Sequence, residues 1–119
     1  MDTALLYSEL PERLLKTEES LQKAIVAYKQ ACDEEAEALK SYRMAVRTRT
    51  LEGKSQQIMA SYMQDWVRGH EDIAELKAAE LKATGQKNYC KYFIEAYKER
   101  IYNYRFLGKV LEEQVRTGV

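Results

Sequence analysis

Apolar residues recur along this chain at alternating spacings of three and four over two long stretches, with a short amphipathic stretch between them. In the first, Leu21, Tyr28, Glu35 and Tyr42 share one heptad position, and Ile25, Cys32, Leu39 and Val46 share another. Such a seam is one face of a helix offered to a second helix. Beside it Ala24, Ala31, Ala38 and Ala45 recur every seven residues, a row small enough to let a neighbour approach closely. Ser8 and Pro11 open this helix, because a residue before proline is pushed out of the α region. The pattern predicts a first helix over 11–52, about 60 Å long at 1.5 Å per residue.

The run LEGKSQ breaks the pattern, with Gly53 placed to cap the first helix and Ser55 to cap the next. A short helix over 56–68 follows, carrying Ile58, Met59, Tyr62, Met63 and Trp66 on one face and ended by Gly69. The third helix is predicted over 71–116. Ile73, Leu76, Ala83, Cys90, Ile94, Tyr97, Ile101, Tyr104 and Leu111 keep the spacing, while Glu80, Lys87 and Gly108 interrupt it. Gly85 stands mid-helix, where a bend is expected. These elements predict one all-α domain: a long antiparallel helical hairpin, coiled-coil-like, with a short connecting helix. A slender rod of this size buries little of its own surface, so self-association is expected.

Composition agrees with long solvated helices. Of 119 residues 32% are charged, while Gly and Pro number only five and one. Nineteen cations balance nineteen anions, so no whole-chain field draws it to DNA or membrane. No apolar run is long enough to span a bilayer, and MDTALLYSEL lacks the basic and apolar regions of a secretory signal, so no membrane partner and a cytoplasmic location are expected. Cys32 and Cys90 form no CxxC pair and read as reduced core residues.

Catalytic chemistry is missing from the pattern. The one histidine, His70, begins an HE pair with no second histidine, and is expected to be exposed at the start of the third helix. The acidic run DEEAE (33–37) reads as a solvated face rather than a metal site, except that Glu35 lies on the seam and can pair with Lys87. No enzymatic activity, metal or cofactor is expected.

Two surfaces remain. The run YCKYFIEAYKERIYNYRF (89–106) holds five of the nine tyrosines and both phenylalanines. Tyr97 and Tyr104 belong to the seam, with Phe93 and Leu107 flanking it. Tyr89, Tyr92, Tyr102 and Phe106 lie off it and form, with Leu107 and Leu111, a candidate oligomer interface. Stacking on nucleic-acid bases and packing on the short helix are the other readings of these rings. The second surface is basic. Residues 1–39 carry nine acids and four bases, whereas 40–54 carry Lys40, Arg43, Arg47, Arg49 and Lys54 against Glu52 alone. The helix macrodipole accounts for one or two cations at a helix C-terminus, not five. Forked guanidinium donors at a helix end suit phosphates along a nucleic-acid backbone, with Tyr62 or Trp66 as candidate stacking rings.

A first long helix closing in VRTRTLEGK, a short helix SQQIMASYM and a last helix ending in RIYNYRFLGKVLEE resemble the small all-helical proteins of tailed phages related to the UvsY recombination mediator. The resemblance covers most of 40–112 and is one of pattern. It implies that Val46, Arg47, Thr48 and Arg49 match a hydrophobic–basic–x–basic element that contributes to single-stranded DNA binding. An arginine stands where the family's lysine is expected. The resemblance also implies that 101–111 drives assembly of a ring-like homo-oligomer. The implied function is loading a recombinase onto single-stranded DNA against a single-strand-binding protein. The alternative is a coiled-coil adaptor without nucleic-acid contact.

Overall fold

A computed structural model describes residues 3–118. The described residues are all-α, in three helices: α1 over Thr3–Ser55, α2 over Ala60–Arg68 and α3 over Glu71–Thr117. The described residues fall into two compact units, each holding a piece of α1 and a piece of α3 packed antiparallel.

The first unit joins residues up to Tyr28 with those from Tyr89 onward. Leu10, Thr17, Cys90, Ile94, Ile101 and Leu111 are buried there. Leu10 lies beside Gly108, and Glu18 meets Arg105 at 3.4 Å, so rising numbers on α1 face falling numbers on α3. The Thr17 hydroxyl costs nothing in this core because it donates to the Arg13 carbonyl at 2.8 Å.

The second unit is Lys29–Asn88 and adds α2. Ala31, Gly53, Val67 and Ile73 are buried. Ile73 is 1% exposed and, fully buried, is worth roughly 1.5–3 kcal/mol over exposure. Lys87 Nζ donates to Glu35 Oε1 at 2.9 Å, the seam pair expected from the sequence. Lys77 lies 4.9 Å over the Tyr42 ring, and Arg49 meets Asp72 at 3.2 Å.

Several sequence expectations are corrected. First, α1 begins eight residues before Pro11, which lies inside it. Proline there forfeits the hydrogen bond to the Tyr7 carbonyl. Leu10, 6% exposed, anchors that turn in the core. Next, the seam of α1 is shifted by one line. The alanine row lies within it, with Ala31 only 3% exposed, while Ile25, Cys32, Leu39 and Val46 flank it half-buried. On α3, Glu80, Lys87 and Gly108 do not interrupt the seam; they are half-buried members of it, the charges paired with Lys77 and Glu35. Gly85 stands mid-helix in α3, as expected.

The loop also differs. Gly53 is helical, and a Cβ there would meet Met63 Sδ at 2.6 Å and Trp66 Cζ3 at 2.9 Å. Its missing side chain is what lets α2 dock on α1. The left-handed cap falls on Gln57, φ 62°. Ile58 N–H donates to the Gly53 carbonyl at 2.9 Å and Gln57 N–H to that of Lys54 at 3.1 Å, the paired bonds of a Schellman closure. Ser55 is the last residue of α1, and α2 starts later than predicted, at Ala60, from an N-cap at Met59 without a side-chain bond.

Candidate nucleic-acid interface

In a helix of 3.6 residues per turn, Lys40, Arg43, Arg47 and Lys54 project within an arc of about 60°. All four are exposed. Tyr42 and Ala45, which face the seam, lie about 140–200° round from Lys40, so this arc points away from α3. Lys40, Arg47 and Lys54 are each about 10 Å apart along the axis. The side of α1 next to Arg43 forms a groove with α2, lined by Tyr42, Val46 and Thr50 on one wall and Ala60, Met63, Gln64, Val67 and Arg68 on the other.

Arg49 does not join the arc. It projects about 180° from Lys40, into the seam. Its guanidinium donates to Glu52 at 2.9 Å and to Asp72 at 3.2–3.3 Å. The hydrogen bond it donates to Glu52 and then that to Asp72 raise its pKa further. Arg49 therefore ties the end of α1 to the start of α3. The signal was in the sequence: Arg49 continues the heptad position of Leu21, Tyr28, Glu35 and Tyr42.

The two candidate stacking rings part in the same way. Tyr62 is 62% exposed. Trp66 is half-buried, its ring against Gly53 and edge-on to His70 with centroids 4.4 Å apart, so it serves packing. His70 is half-buried rather than exposed, its Nδ1 2.8 Å from the Trp66 carbonyl. Arg68 was missed by sequence reasoning; it is the last residue of α2, exposed, and lines the groove. The only cue was a cation one residue before Gly69.

The aromatic surface belongs to the first unit. Tyr89, Tyr92, Tyr102 and Phe106 are exposed, Tyr92 at 75%. Tyr89 packs edge-on to Phe93, centroids 4.7 Å apart, and Phe93 stacks on Tyr97. Leu111 is withdrawn from the interface set: at 5% exposure it is core. Leu107 is half-buried. Both lie nearer the α1-facing side of α3 than Phe106 does, which is why the same apolar run splits into core and surface.

Among the described residues no helix is long and apolar enough to cross a membrane, and no group of His, Cys, Asp or Glu could hold a metal ion. No protein-family model, curated protein or solved structure matches the chain.

Proposed function

We propose that the protein binds single-stranded DNA through the outward arc of α1 and acts, as a homo-oligomer, as a mediator that helps load a recombinase. One observation carries the reading: Lys40, Arg43, Arg47 and Lys54 all project to solvent on one side of one helix, none of them paired with a carboxylate among the described residues. The cations hold phosphates, and the exposed Tyr62 offers a face for a base. Arg68 is exposed on the groove beside them. One such patch binds weakly, so several copies held by Tyr89, Tyr92, Tyr102 and Phe106 multiply it through effective concentration. The resemblance to UvsY-type mediators points to the same role and supplies the recombinase and single-strand-binding protein as partners.

The test is an anisotropy titration of a labelled single-stranded oligonucleotide at 50 and 200 mM salt. Binding that weakens steeply with salt supports the reading, through counterion release. Absent or salt-insensitive binding overturns it and favours the coiled-coil adaptor, to which the exposed aromatic surface would then belong.

A further inference from the structure

The same side of α1 carries a second heptad pattern. Positions 33, 37, 40, 44, 47, 51 and 54 alternate in spacings of four and three. This line lies about half a turn from the seam that faces α3. All seven residues are exposed, Met44 and Leu51 at 60% and 57%. Its charges are segregated: Asp33 and Glu37 begin it, and Lys40, Arg47 and Lys54 follow. Among the described residues none of these five forms an ion pair.

A seam that runs from acid to base is complementary to itself when reversed. In an antiparallel pair, layers form between alternate heptad positions of the two helices. The centred register sets 33 against 51, 37 against 47 and 40 against 44. Glu37 then meets Arg47 of the second copy, and the apolar stem of Lys40 lies on its Met44. Two-fold symmetry makes each contact twice. A parallel pair would instead stack Lys40, Arg47 and Lys54 on their own copies.

We propose that the outward face of α1 pairs antiparallel with the same face of a second copy, and that a polyanion displaces this contact. The pairing stands on charge complementarity alone; the displacement rests on the phosphate-binding reading above. With only two apolar positions and exposed charges the contact is weak and salt-sensitive. It covers the cations until a phosphate backbone competes for them, and so holds the binding face closed in the free protein.

Sedimentation velocity on the full chain at 50 mM salt, without nucleic acid, tests the pairing. Glu37→Arg and Arg47→Glu each set like charges face to face twice, and each is expected to weaken association roughly tenfold. The double variant E37R/R47E restores complementarity within the same chain and is expected to regain association to within about threefold of the unaltered protein. Contacts through the aromatic surface are common to all four proteins and cannot produce this rescue. Circular dichroism checks helicity; should a reversal unfold the chain, Glu37→Gln and Arg47→Gln replace it, each expected to weaken association a few-fold. Four proteins sedimenting alike, or a double variant no better than the singles, would overturn the pairing. Adding single-stranded oligonucleotide is expected to dissociate the pair. Failure to bind the oligonucleotide would refute the phosphate reading and leave the pairing intact, whereas oligonucleotide bound to an undiminished pair would refute the displacement.

Discussion

Arg47 and Arg49 stand two residues apart in one basic run, yet helix geometry puts them about 200° apart. Replacing each by alanine separates phosphate binding from packing. With four arc cations on phosphates, the logarithm of single-strand affinity should fall with that of salt at a slope of about −2.8 per bound chain, taking about −0.7 per contact. A fourfold rise in salt then weakens binding roughly fifty-fold. Removing Arg47 should bring the slope to about −2.1 and the loss to roughly twentyfold. Removing Arg49 takes away the ties to Glu52 and Asp72 instead, so the slope stays while the melting temperature falls. Anisotropy titrations at four salt concentrations, with thermal melts of the same preparations, give both readouts. An Arg49→Ala slope as shallow as that expected of Arg47→Ala, with Arg47→Ala unchanged, would refute the assignment of faces.

Other outcomes follow from the same geometry. Gln57 holds φ 62°, so Gln57→Gly should raise stability by up to about 1 kcal/mol in urea titration, whereas Gln57→Val should lower it. Gly53→Ala drives a methyl into Met63 and Trp66 and should cost about 1–3 kcal/mol with altered tryptophan emission. Gly85→Ala, with nothing within 4 Å, should instead stabilise by about 1 kcal/mol. The hydrogen bond from Lys87 and then that from Thr84 hold the Glu35 carboxyl below its ordinary pKa. That contribution to stability is complete above the ordinary glutamate range and is lost as pH falls through and below it, from about pH 4 downward. Melts of Glu35→Gln should therefore show a shallower acid limb than the unaltered protein. Tyr92→Ser combined with Phe106→Ser should reduce the mass seen by light scattering while leaving helicity intact, since both rings are exposed.

Much of this protein was legible in the chain itself. Few glycines, one proline and sustained three–four spacing leave room only for helices, and the break at Gly69–His70 falls where its glycine was read as a stop, while the break at 56–59 begins only at the last residue of LEGKSQ, which is helical through Ser55. The Glu35–Lys87 pair could be named because each was the polar exception on its own seam. What periodicity could not supply was phase. The alanine line and the Ile25–Val46 line flank the same tyrosine positions within about 60° on either side, and composition favours the larger side chains. Packing against α3 chose the alanines, because small residues let two backbones come together. Arg49 sits on the line that both phases share, so its inward side was readable, whereas only packing left Phe106 on the surface while burying Leu111. Gly53 has the same origin: a glycine before a loop reads as a cap until a second helix is seen to rest on it. Local sequence sets which segments are helical because backbone hydrogen bonding and propensity act within a few residues. Which side of each helix is covered is settled only when its neighbour arrives.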